Sequence, residues 1–171
     1  MKNHPPLRLL LLLVLLPLLF LSACVQVETD ASTILAAMCE SQPSMPAGQV
    51  YLKGAEADET AYADNELIAA LFGDGEYPVE FFAVNDFAFR LSAHPLPCEF
   101  AVLRCVSPQD AYDVAQLCHR RLDRIRLAFL NSPYSDTVEK AQIETRGSYV
   151  LFALGEDPTA ALEAGRRACR G

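Results

Sequence analysis

Basic charge is scarce in this sequence, and so are the short motifs that mark common enzymes. Fourteen Lys and Arg stand against 22 Asp and Glu. Phosphate backbones are bound by concentrated Lys and Arg, so this balance argues against nucleic acid as a partner. It also provides no polybasic patch for anionic lipid. There is no Gly-rich phosphate loop, no G-x-S-x-G and no H-E-x-x-H. No two cysteines have C-x-x-C spacing, and no His sits at a ligand interval from two Cys, so neither a zinc site nor a thioredoxin-like motif is expected. No cofactor, metal or catalytic residue is therefore assigned from the sequence. A long hydrophobic run is missing as well: the apolar stretch Leu9 to Phe20 covers about a dozen residues, whereas a bilayer-spanning helix needs ~20.

That run has another reading. It follows a basic start containing Lys2 and Arg8 and ends on Leu21-Ser22-Ala23-Cys24, which is the anatomy of a processed secretory signal. The last four residues look like a bacterial lipobox, in which the Cys24 thiol receives a diacylglyceryl group and the chain is cut just before it. Two acyl chains give a stable anchor where one gives marginal binding. The expected organisation is a signal peptide over 1–23, a lipidated cysteine and short tether over 24–32, and one domain over 33–171. Removing residues 1–23 takes away two basic and no acidic side chains, leaving twelve against 22 and a net charge of about −10. The remaining length suits one domain with its own core. The expected location is the extracytoplasmic face of the cell membrane, with the membrane as a partner through Cys24.

Five cysteines remain beyond Cys24: Cys39, Cys98, Cys105, Cys118 and Cys169. An odd number cannot all pair, and small buried hydrophobe is the favoured role for each. Cys98 and Cys105 are seven residues apart on one expected strand, so they face opposite ways. Cys118, ten residues into a helix from Pro108, is expected to pack over Ala101 or Val102 and opposite neither thiol. Only a Cys39–Cys169 link stays open.

Along the domain, Thr33 to Glu40 reads as a helix and Gln49 to Lys53 as a short strand. The acidic stretch Glu56, Asp58, Glu59, Asp64, Glu66 lacks calcium-loop spacing and reads as a solvated face. Leu67, Ile68, Leu71 and Phe72 form a helical stripe closed by Gly73. From Val79 the texture turns to Phe and Val, consistent with one strand kinked near Asn85-Asp86. Cys98 to Val106 is apolar on both faces, as in a central strand. Ser107-Pro108-Gln109-Asp110 opens a long helix, with Ser as N-cap and Pro in the first turn. Its stripe is Ala111, Ala115, Cys118, Leu122, Ile125 and Phe129, which leaves Arg121 off the buried face. Gly147 joins two strands of a hairpin, and Asp157-Pro158 starts a last helix with a small stripe at Ala161, Gly165 and Ala168. The implied fold class is α+β: a mainly antiparallel sheet of about four strands covered by helices.

With the lipobox, the strand–helix unit FAVLRCVSPQDAYDVAQLCHRRLDRI, Tyr134 and the hairpin AQIETRGSYVLFAL, the chain resembles the bacterial, clostridial-type lipoproteins gathered as domain of unknown function 4358. The resemblance covers about residues 33–169 and implies a small extracytoplasmic α+β lipoprotein; it transfers no catalytic residue. The five further cysteines depart from that family's pattern. Adjacent helical residues point about 100° apart, so Cys118 and His119 are not expected to act as nucleophile and base. His94, between turn prolines, is expected on the surface, and Tyr149 in core packing. The leading functional reading is a binding or interaction module of the cell envelope, serving an envelope protein or a small ligand. A thiol-dependent enzyme or redox sensor at the membrane surface is the alternative.

Overall fold

Two segments are apolar on both faces, and they become the centre of the sheet. In β3 (Glu99–Cys105), Phe100 and Val102 go to one side while Ala101, Leu103 and Cys105 go to the other. In β5 (Tyr149–Leu154), Tyr149, Leu151 and Ala153 share the first side and Val150, Phe152 and Leu154 the second. The strands pair antiparallel with Ala101 opposite Phe152 and Val102 opposite Leu151. Strands buried on both faces require a cover on each, and the chain supplies two.

The computed structural model describes residues 28–93 and 96–170. Cys24, the apolar run before it and His94 lie outside the described residues. Strands β1 (Gly48–Leu52), β2 (Val84–Ser92) and β4 (Gln142–Arg146) complete an antiparallel sheet of order β1-β2-β3-β5-β4. The class is α+β in one compact domain, with five strands where about four were expected; β1 and β4 form the edges. One face is covered by α1 (Ala31–Glu40) and α5 (Pro158–Ala168). The other carries α2 (Asn65–Phe72), a 3-10 turn (Val79–Ala83) and the long α3 (Pro108–Phe129). A short α4 (Ser135–Glu139) links α3 to β4.

Local chemistry explains the boundaries. Ser107 Oγ accepts from the Asp110 amide at 3.2 Å and donates to the Asp110 carboxylate at 2.6 Å, fixing the start of α3. Asp64 caps α2 and Asp157 caps α5 by accepting from the Leu67 and Ala160 amides. Helix α1 starts at Ala31, two residues earlier than expected, and Asp30 makes no side-chain cap. Its first amide instead donates to the Asp86 carboxylate at 2.9 Å, an acceptor supplied by the sheet. Asp86 can reach because β2 carries a bulge: Val84 pairs with Cys105 and Asp86 with Arg104, leaving Asn85 over. The expected kink near Asn85-Asp86 is that bulge.

The expected strand from Val79 is corrected at its first half. Residues Val79–Ala83 wind into the 3-10 turn, with the Phe81 amide on the Pro78 carbonyl at 3.0 Å. Winding brings Phe81 over Phe72 and Phe87, with ring centroids 5.3 and 5.8 Å apart. An extended run would spread those aromatics along the sheet, so the contact is a tertiary gain that the β-rich composition does not reveal. On the opposite face, Gly165 is the point of closest helix packing. A Cβ there would stand 3.1 Å from both Met38 and Leu151 side chains, so the missing side chain lets α5 lie against α1 and β5 together.

Candidate functional site

The most developed polar architecture lies where the described chain begins. Glu28 is ion-paired to Arg104 at 2.9 Å. Thr29 is held twice, its hydroxyl donating to the Ala168 carbonyl at 3.0 Å and its own carbonyl accepting from the Tyr149 hydroxyl at 2.9 Å. Asp30 leads into α1, whose first amide is held by Asp86. Arg104 also faces Asp86 at 4.0 Å. A polar depression of about 390 Å³ opens here between Asp30, Ser32, Lys53, Asn85, Asp86 and Arg104. Tyr149 is therefore core packing with its polar end on the incoming chain, and burial pushes its phenol above the usual value.

A second concavity, of about 210 Å³, sits at the other end of β3. Leu91, Leu96, Ile125, Phe129 and Leu154 give it apolar walls, and Ser92, Cys98, Glu99 and Arg121 give it polar ones. The Glu99 side chain is 7% exposed and is met by Arg121 in a forked pair, Nη2 at 2.8 Å and Nε at 3.2 Å. Arg121 is thus not a bystander beside the stripe, as helical spacing implies. The arginines of α3 each reach a different element: Arg120 to Glu80 of the 3-10 turn, Arg121 to β3, Arg124 to Asp74 and the carbonyls of Leu71 and Gly73 at the end of α2, and Arg126 to Glu139 of α4. Helix-dipole reasoning predicts basic residues toward the end of this helix; it does not predict that they fasten its neighbours.

The five described cysteines are free. Cys98 belongs to the α1/α5 core and Cys105 to the α3 core, on opposite faces as their spacing predicts. Cys118 is wholly buried in the α3 core with Ala101. Burial pushes the Cys105 thiol up to about 12 and Cys39 to about 11. Cys118 is raised further by the same desolvation, with Glu99 and Cys105 adding to it. These thiols are kept protonated, the opposite of what a nucleophile requires. The Cys39–Cys169 link left open by the sequence is ruled out by the helix pairing. Gln42, just past α1, donates to the Asp157 carbonyl before α5, while Thr29 meets Ala168 at the other end. The two helices are antiparallel, and Cys39 and Cys169 stand at opposite ends, about 15 Å apart along the axis. A disulfide allows roughly 7 Å between Cα atoms.

His119 is exposed while its neighbour Cys118 is buried, so the pair is not assembled as nucleophile and base. The acidic residues Glu56, Asp58, Glu59, Asp64 and Glu66 are all exposed, and among the described residues no cluster of three His, Cys, Asp or Glu is placed to hold a metal ion. Among the same residues, no helix is long and apolar enough to cross a membrane. Comparison with protein-family models, with curated proteins and with solved structures found no match to this chain.

Proposed function

We propose that this chain is an extracytoplasmic lipoprotein, anchored by a diacylglyceryl group on Cys24, whose domain is a binding or interaction module of the cell envelope. One observation carries the reading beyond the lipobox itself: Glu28 and Thr29, four and five residues after Cys24, are already bonded to the sheet and to α5. Four residues span at most about 14 Å, so an anchor at Cys24 holds a folded body against the lipid with little slack. Of the two concavities described, the cleft at Glu99 and Arg121 is the one that combines apolar walls with a fixed charge pair, as small-ligand clefts do. The acidic net charge directs partner choice away from nucleic acid. Labelling with a radioactive fatty acid tests the anchor: the full chain takes up label and is shortened, and Cys24→Ala does neither. Unchanged labelling and processing in Cys24→Ala would contradict the reading.

The alternative, a thiol-dependent enzyme or redox sensor, is favoured by the position of Cys98 on the wall of that cleft. Desolvation raises its thiol above the usual value, while the neighbouring Arg90 opposes the rise. Rapid alkylation of Cys98 in the folded protein would favour this reading; slow alkylation favours the binding module.

A further inference from the structure

We propose that the end of the domain formed by Phe82, Val106 and Tyr112 is a bilayer-seating surface, pressed into the membrane interface by the anchor on Cys24. The proposal rests on the lipoprotein reading and adds which side of the fold faces the lipid. Three large apolar or amphipathic side chains stand in solvent at this end: Phe82 is 77% exposed, Val106 64% and Tyr112 61%. The backbone places them there. The Val106 amide donates to the Ala83 carbonyl at 2.9 Å, which puts the Val106 backbone next to the residue after Phe82; the Phe82 ring itself leans on Tyr77 at 5.2 Å between centroids, and Tyr112 lies in the opening turns of α3, which starts at Pro108. An exposed Phe and Val cost nothing in isolation, but grouped apolar side chains mark an interaction surface.

The occupant follows from where the chain comes in. Glu28 is paired with Arg104, two residues before Val106 on the same strand end. A lipid group on Cys24 is at most about 14 Å of extended chain from Glu28. An anchor within that reach enters the bilayer at the end of the sheet that holds Arg104, Val106 and Ala83, and away from the far end of α3. That far end also bears exposed apolar residues, Leu127 at 74% and Leu130 at 64%, but Leu127 lies about 22 Å along the helix axis from Tyr112. Tyr112 suits the headgroup level, where an apolar body and a polar tip are both accommodated, and Phe82 is a purely apolar ring for the acyl boundary beneath it. Lys53, whose ammonium donates to the Val84 carbonyl at 2.5 Å, stands at the same end, in the depression it shares with Asp30, Asp86 and Arg104.

The chain contains no tryptophan, so one substitution creates a unique fluorescent reporter. Phe82→Trp, Val106→Trp and Leu127→Trp are made in the full, lipidated protein and reconstituted in phosphatidylcholine vesicles, with and without brominated acyl chains. Incorporated fatty-acid label is measured on each sample. The proposal expects emission at positions 82 and 106 to shift to the blue and to lose most of its intensity to brominated lipid, while position 127 shows neither change. Labelled protein in which none of the three is quenched would overturn the seating surface and leave the anchor intact. Quenching at position 127 as strong as at 82 would overturn the orientation. A blue shift at 82 without quenching would mean that protein, such as a second copy of the chain, covers Phe82, and would overturn the lipid assignment. Absence of label on the unsubstituted chain would overturn the anchor and the seating surface together.

Discussion

Arg121 of α3 and Glu99 of β3 form a forked ion pair at 2.8 and 3.2 Å, with the carboxylate almost fully out of solvent. Removing one partner of such a pair leaves a charge desolvated and unmatched, which costs about 3–5 kcal/mol. Arg121→Ala should lower unfolding free energy in urea by an amount near the bottom of that range, because Arg121 itself is partly exposed. Arg126→Ala, whose partners Asp123 and Glu139 are well exposed, should cost about 0–1 kcal/mol. Equal losses in the two variants would show that the Glu99 pair is not held in the folded state.

Leu122 is buried on α3, one residue from Arg121. Leu122→Asp places an unpaired charge in the core and should cost several kcal/mol, on the order of the desolvation penalty. Leu127→Asp, on the exposed side, should stay within about 0.5 kcal/mol of the parent. Thermal melts of the two variants check the difference. Helical spacing identifies the Leu122 stripe correctly, yet it also places Arg121 among the harmless positions. The two residues are neighbours in sequence with comparable structural weight, for unlike reasons.

Burial is legible in a sequence where contacts between distant residues are not. Periodicity finds Leu122, Ile68 and the two-sided apolar runs of β3 and β5, because burial is written into the identity of the buried residue. The caps at Ser107 and Asp157 are legible for the same reason, being contacts within one turn. The Asp86 bond to the start of α1 is not legible: its partners are 55 residues apart and meet only through a bulge. The 3-10 turn at Val79–Ala83 and the Glu99–Arg121 cleft belong to this class, since composition at each position allows several outcomes and tertiary packing selects one. Among candidate site residues, the sequence marks Cys24 by a local motif. It gives no sign of Glu99, a lone glutamate in an apolar strand, beyond the oddity of a charge at the start of a buried segment.

The thiols predict a pH dependence with a definite sign. Cys105 is raised from 9.0 to about 12 and Cys39 from 9.0 to about 11 on folding. A raised pKa means that the unfolded chain loses its proton first, so stability is complete below about pH 9 and declines as pH rises from there through 11 and 12. Urea midpoints taken between pH 8 and pH 10.5 should fall, and the fall should shrink in Cys105→Ala. A flat profile in the parent would contradict burial of these thiols.

Alkylation under native conditions should leave Cys118 unmodified, and denaturation should expose it. No peptide linking Cys39 to Cys169 is expected in the non-reduced digest, because the helices holding them run in opposite directions. Recovery of that linked peptide would contradict the α1–α5 pairing.

Lipidation of Cys24 as the first residue of the mature chain is read out by intact-mass measurement of the chain extracted from membranes. The expected mass is that of residues 24–171 plus a diacylglyceryl group, with the modification on the N-terminal cysteine. A membrane-extracted chain that retains residues 1–23, or one cut elsewhere and carrying an unmodified Cys24, would contradict it.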